Sequence, residues 1–237
     1  MALVAVLPDG RALAHPQWML AALCAVALMS TAGVAMPYPI LAPIFVNGPV
    51  DAFTHWFDLP PQLLMGLALA ANPLGILLGS LVLGPLSDRY GRRRLLLISL
   101  TATLACQLLS AGALEARSYP LFVLARFVTG ITEGNVAIAR ALLADQHPRL
   151  DRTPSFAWLN ASLYGGWLVG PLLGGQALRL GEPMPFALAA LALLPCIAVL
   201  ALALPADGRR SAGAGLLQAL REQQALGLLA SDALLRR

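Results

Sequence analysis

The stretch Gly84-Pro85-Leu86-Ser87-Asp88-Arg89-Tyr90-Gly91-Arg92-Arg93-Arg94 constrains the whole chain, because it sets four arginines between two long apolar runs. The runs cover residues 62–83 and 95–113. An apolar run of about 20 residues can cross a bilayer's hydrocarbon core as a helix. Four guanidinium groups cannot rest in that core. The stretch therefore reads as a tight connection on the cytoplasmic side, joining two antiparallel spans.

The rest of the chain can be oriented from that connection. Six spans are expected: Trp18 to Phe45, Pro61 to Leu83, Leu95 to Ala113, Tyr119 to Leu143, Ser155 to Leu178 and Met184 to Leu204. Arg11, Arg89, Arg92, Arg93, Arg94, Arg140, Arg149, Arg152 and five arginines after residue 204 then lie inside, against Arg117 and Arg179 outside. That asymmetry predicts both termini in the cytoplasm. The expected organisation is a cytoplasmic N-terminus (1–17), a six-helix transmembrane domain (18–204) and a cytoplasmic tail or linker (205–237). Leu216 to Leu235 is mildly amphipathic and suits a helix lying on the inner surface.

Composition agrees. Of 237 residues, 58% are hydrophobic and 12% charged, against about 25% charged in soluble domains. The fold class is all-α integral membrane, with the lipid bilayer as solvent. The net charge of +4 does not indicate nucleic acid, since the arginines flank spans and form no basic domain. Cys24, Cys106 and Cys196 each fall inside an apolar run, where small buried thiols are the expected reading; no metal or cofactor is implied. Motifs of metalloproteases, serine hydrolases and nucleotide loops are missing, so the chain does not read as an enzyme.

Inside the spans, polar residues carry the information. Arg126 and Glu133 stand seven residues apart, nearly two helical turns, so they share a face about 10 Å apart along the axis. That is too far for direct contact unless the side chains reach toward each other or share a bridging molecule. A charge at the bilayer centre costs roughly 2.5–3.5 kcal/mol on insertion scales. The pair is either structural, between helices, or lines a cavity that binds substrate or proton. As the one acid inside an expected span, Glu133 is the candidate for a protonatable coupling site. Asn72, Gln107, Asn135, Asn160 and Tyr38 are further cavity groups, in a setting that suits an amphipathic or cationic solute. Pro37, Pro39 and Pro43 predict either a frayed end or a pore-lining bend in the first span. Gly66, Gly75 and Gly79 indicate close packing in the second. Ser162, Gly166, Gly170 and Gly174 form a small-residue stripe in the fifth, with Pro171 adding a bend. In the arginine-rich connection the glycines permit positive φ. Asp88 either caps the following segment or faces the positive end of a neighbouring helix.

The pattern G-x-L-x-D-R-x-G-R-R from Gly84 to Arg93 resembles the connection between helices 2 and 3 of the major facilitator superfamily of secondary transporters. The resemblance implies that Gly84, Asp88, Arg89, Gly91 and Arg92 act in gating, that Asp88 helps latch two halves together, and that Arg92 pairs with Asp145. The stretch from Arg126 to Asn135 resembles the superfamily's helix-4 signature, whose arginine is linked to proton transfer in drug:proton antiporters. Here Thr129 replaces a common glutamine, and Glu133 stands where small residues are usual. Gly166-x-x-x-Gly170-Pro171-x-x-Gly174-Gly175 resembles the helix-5 motif of antiporter-type exporters. The chain is thus similar to the N-terminal six-helix half of a drug:proton antiporter, with tetracycline exporters among the nearer likenesses. This implies proton-coupled efflux of a small amphipathic solute, a multi-pass place in a bacterial inner membrane, and a partner: a missing C-terminal half or a second chain. The alternatives are a non-transporting membrane subunit or regulator and an inactive, truncated transporter.

Overall fold

A computed structural model describes residues 16–145 and 150–203. The expected cytoplasmic tail with its amphipathic helix, and all but the end of the expected cytoplasmic N-terminus, lie outside these residues. The described residues form helices α1 (Pro16–Ala35), α2 (Tyr38–Asn47), α3 (Pro61–Tyr90), α4 (Arg92–Glu115), α5 (Tyr119–Glu133), α6 (Val136–Asp145), α7 (Arg152–Ala177) and α8 (Met184–Ala203), with no strand among them. Five segments are long and apolar enough to cross a membrane: Gln17–Asn47, Pro61–Tyr90, Arg92–Glu115, Tyr119–Asp145 and Met184–Leu202. The fifth expected span, α7, is not among the five, although its 26 residues match their length. Glycines and polar residues dilute its apolar content.

Two expected spans are broken helices. The first breaks at Met36–Pro37, between α1 and α2. Its second half does not fray: Ile40, Leu41, Ile44 and Phe45 are buried in an apolar cluster with Phe53, Tyr119 and Phe122. The fourth breaks at Gly134–Asn135, between α5 and α6.

The arginine-rich stretch differs from the expected loop. Helix α3 runs through Gly84, Pro85 and Asp88 to Tyr90, and α4 begins at Arg92. Only Gly91, at φ 97° and ψ 131°, turns the chain. Gly84 is helical and supplies no positive φ. Asp88 is not an N-cap; the cap position of α4 is Gly91, without side-chain capping. The apolar run ends before the helix does, because polar residues at a helix end sit in the interface and need no break.

Packing follows an exchange rule. The main contacts are α3 with α5, α1 with α7, α4 with α5, α1 with α8, and α4 with α8. Take α1–α2, α3 and α4 as one triplet, and α5–α6, α7 and α8 as another. Exchanging the triplets maps this contact set onto itself. Each triplet opens on a broken helix, and its second helix packs on the other triplet's first. Three antiparallel passes reverse direction, so the second triplet runs inverted to the first, an arrangement that recurs in transporter folds.

Glycines make the cross-contacts possible. A Cβ on Gly75 or Gly79 of α3 would collide with the backbone of Phe127 to Ile131, and one on Gly130 would collide with the Asn72 carbonyl. On the other side, a Cβ on Gly166 would lie 2.6 Å from the Leu28 carbonyl, and one on Gly170 2.6 Å from that of Ala32. Gly66 and Gly175 face open space, against the close packing expected of Gly66.

One end of the bundle is fastened by Arg117. Helix α4 closes with the Arg117 amide bonded to Leu114 O and the Ser118 amide to Ala113 O. That Schellman pattern puts Arg117 at φ 50°, where glycine is usual. The side chain then reaches Asp51 at 3.6 Å and Glu182 at 2.9 Å, tying three connections together. Burial works to raise the Asp51 pKa, but amides of Thr54 and Phe53, the Thr54 hydroxyl and Arg117 outweigh it, leaving the carboxyl below its ordinary 3.8. A lowered native pKa contributes stability above the unfolded value and loses it as pH falls through the native value. Thermal midpoints should therefore fall below about pH 4, and Asp51→Asn should remove that part of the pH dependence. An unchanged acid limb in Asp51→Asn would refute the assignment.

Candidate functional site

At the opposite end, two adjacent arginines hold two helix C-termini. Arg92 pairs with Asp145 through Nη1 and Oδ2 at 2.5 Å, and the same nitrogen donates to the Ala141 carbonyl in α6. It also donates to Asp88 Oδ1, from Nη2 at 2.8 Å and Nε at 3.1 Å. Arg93 donates to the Ala201 carbonyl of α8 at 2.7 Å. A cation beside the last carbonyls of a helix meets the negative end of its dipole. The Arg92–Asp145 pair expected from the sequence is thus present, and Arg93 adds a second clamp that the sequence did not signal. Arg89 lies apart from both, with its guanidinium 5.4 Å from the Tyr90 ring.

The second cluster is buried in the middle of the bundle. Arg126 and Glu133 are each 3% exposed. No ion pair joins them, as their spacing on α5 predicts. Asn72 of α3 instead donates to Glu133 Oε2 at 2.8 Å, and Gln107 of α4 approaches Oε1 at 3.5 Å. The Asn72 amide also lies 3.4 Å from the Arg126 carbonyl. The Arg126 guanidinium rests 5.7 Å from the Phe186 ring centre. Five buried polar atoms at or near the cluster have no partner among the described residues: Asn72 Oδ1, Gln107 Oε1, Arg126 Nη1, Asn135 Nδ2 and Ser30 Oγ.

Three helices converge on Glu133 because glycines let them. Gly75 and Gly130 bring α3 against α5, which places Asn72 beside the carboxylate. Gln107 points into a gap left by Gly33 of α1, where a Cβ would stand 3.3 Å from the amide nitrogen. Further polar contacts line the α4–α5 seam, where the Thr103 hydroxyl donates to that of Thr132 at 2.8 Å.

A cavity of about 370 Å³ opens beside Glu133. Ser30, Thr31 and Val34 of α1 form one wall, Ile76 and Ser80 of α3 another. Gly134, Val136, Ala137 and Arg140 continue the wall past Glu133, and Trp167 of α7 closes it. Asn72, Gln107 and Glu133 are thus brought together, whereas Asn135 is buried just behind the cavity wall. Asn160 is exposed on α7, apart from them, and Tyr38 packs edge-on to Trp167 at 5.6 Å. Ser30, Arg140 and Trp167 were not singled out as cavity residues from the sequence. The one available signal was Gly134-Asn135, a pair of turn-formers that marks the break opening the wall.

Residues 18–235 match the family model of the Major Facilitator Superfamily. The chain belongs to the major facilitator superfamily. Among curated relatives, the tetracycline resistance protein of class B from Escherichia coli is 35% identical over 130 residues, 51% of this chain and 32% of that protein. The class E protein, also from Escherichia coli, is 36% identical over 126 residues, 53% of this chain and 30% of that protein. A crystal structure of the human organic anion transporter TETRAN shares the fold, with a TM-score of 0.63 and 21% identity over 80% of this chain and 48% of that one. The matched regions span about a third of the curated relatives and about half of the solved one. The arginine clamp and the Glu133 cluster are therefore features of a major facilitator bundle.

Proposed function

We propose that this chain supplies the N-terminal six-helix half of a proton-coupled exporter, with α7 crossing the membrane as the fifth of the six spans. Both termini would face the cytoplasm of a bacterial inner membrane, and the second half would come from a further segment or another chain. The observation that carries the reading is Glu133, a buried carboxylate on a cavity wall whose neighbours can serve both protonation states. As an anion it accepts from the amides of Asn72 and Gln107. As an acid it needs an acceptor, and both amides hold an unpartnered oxygen. The other charged or titratable groups nearby are Arg126, Arg140, Cys106 and, facing Arg126, Tyr38. In this reading Arg92 and Asp145, with Asp88 alongside, form the latch that opens and closes the inner end.

The family points to a transporter rather than an enzyme, and the tetracycline resistance proteins among its relatives favour efflux. The test uses proteoliposomes carrying the protein with an imposed pH gradient and amphipathic solutes, tetracycline first. An inward-acid gradient should drive solute accumulation, and collapsing the gradient with an ionophore should abolish it. Accumulation that ignores the gradient would refute proton coupling. Binding without any transport would favour a non-transporting subunit.

A further inference from the structure

Helices α7 and α8 both pack against α1 and leave a groove of about 350 Å³ between them. Its floor is Met36, at the break between α1 and α2. Leu173, Gln176 and Leu180 line it from the end of α7 and the turn that follows, Leu188 and Ala192 from the start of α8. Residues three and four apart share a helix flank, so each wall is one continuous face.

The groove faces away from the Glu133 cavity. Trp167 closes that cavity from α7. Gln176 stands nine residues further along, about two and a half turns, so it projects from the opposite flank. Transporter substrates sit where two repeats meet. A second half would therefore close over the Trp167 flank and leave the groove on the perimeter, facing lipid.

One end of the groove meets polar ground. Leu180 also lines a second cavity, of about 600 Å³, with Asn47, Arg179 and Glu182. Arg179 is exposed and makes no ion pair among the described residues. Glu182 gives Oε2 to Arg117 at 2.9 Å, which leaves Oε1 without a partner among the described residues. The Gln176 amide likewise makes no hydrogen bond among them. Apolar walls, then a free amide, then an unpaired cation beside an acid repeat the order of a phospholipid: acyl chain, ester, phosphate, ammonium. An anionic headgroup would meet Glu182 as well as Arg179, and a headgroup without phosphate would leave Arg179 unmatched.

We infer that this groove binds a zwitterionic phospholipid of the leaflet at the Arg117 end, with an acyl chain between α7 and α8, an ester against the Gln176 amide, the phosphate on Arg179 and the ammonium toward Glu182. This rests on the proposed membrane placement of α7 and on no part of the proton coupling.

The test is photo-crosslinking in phosphatidylglycerol nanodiscs, with no gradient imposed. Trace phosphatidylethanolamine, phosphatidylglycerol and diacylglycerol each carry the same diazirine acyl chain, and labelled residues are mapped by mass spectrometry. Leu108 of α4 is the reference, exposed on another helix at a similar depth from the same end of the bundle. Labelling of Leu173, Leu188 and Ala192 relative to Leu108 should be roughly fivefold higher with phosphatidylethanolamine than with diacylglycerol, as a charge-assisted contact predicts. Arg179→Gln should bring the two probes level, and Arg179→Lys should keep most of the difference. Gln176→Leu should lower both probes alike, since both carry the ester. Matched elution profiles check that each variant is folded. Groove labelling no higher than that of Leu108 would overturn the inference. So would phosphatidylglycerol labelling equal to that of phosphatidylethanolamine, or a difference that survives Arg179→Gln. Exclusion of every probe from the groove in discs that hold two chains would give it to a second copy instead. Label missing from all of α7, exposed Leu168 and Leu172 included, would refute the membrane placement and the inference with it.

Discussion

Glu133→Gln should abolish gradient-driven transport while leaving solute exchange at equal pH. Glutamine keeps the length and planar end of the side chain but cannot lose or gain a proton. Its single oxygen would keep one of the two donors, Asn72 at 2.8 Å on Oε2 or Gln107 at 3.5 Å on Oε1 in the present geometry. The coupled rate should fall by roughly a hundredfold or more, the scale of losing a positioned proton-transfer group. Stability is expected to fall as well, because Arg126 would keep its buried charge without the carboxylate's field. Two further variants separate the effects. Glu133→Asp keeps a titratable group and should recover part of the coupled rate. Arg126→Gln with Glu133→Gln should recover stability and not coupling. Gradient-driven transport at an unchanged rate in Glu133→Gln would remove Glu133 from the mechanism.

The parts legible in the sequence were those written in local pattern. Apolar runs gave the helical segments to within a few residues at most ends, and arginine placement separated the two ends of the bundle. Gly166, Gly170 and Gly174 form the close face of α7 because small residues at four-residue spacing have few other uses. The Arg92–Asp145 pair came from the family pattern. What stayed hidden depends on which helices meet. The chemistry of Glu133 was visible, but its neighbours Asn72 and Gln107 lie 61 and 26 residues away, and nothing local ties them to it. Arg117 read as a stray outer charge until Asp51 and Glu182 converged on it. The stretch after Leu83 read as a loop because hydropathy measures where lipid ends, whereas the helix continues until Gly91 turns the backbone.

Gly130→Val should cost the folded protein more than any substitution at a charged position. Gly130 faces Asn72 and Gly75, and a Cβ there would overlap the Asn72 carbonyl and sit 2.9 Å from the Gly75 Cα. Backbone cannot swing aside as a flexible side chain can. Relief would require α3 and α5 to separate along a seam that Gly75, Gly79, Gly130 and Gly134 all keep close. Overpacking in a dense core costs about 3 kcal/mol or more at such a site. That corresponds to a fall in thermal midpoint of roughly 6–12 °C. The same movement would draw Asn72 away from Glu133, so surviving protein should also lose coupling. Gly66→Ala and Gly175→Ala supply the contrast, since an added methyl there meets nothing within 4 Å. Both should melt at or above the unaltered midpoint, because alanine favours helix over glycine by about 1 kcal/mol. If Gly130→Val melted with those two, the α3–α5 seam would not have the closeness on which the Glu133 cluster depends.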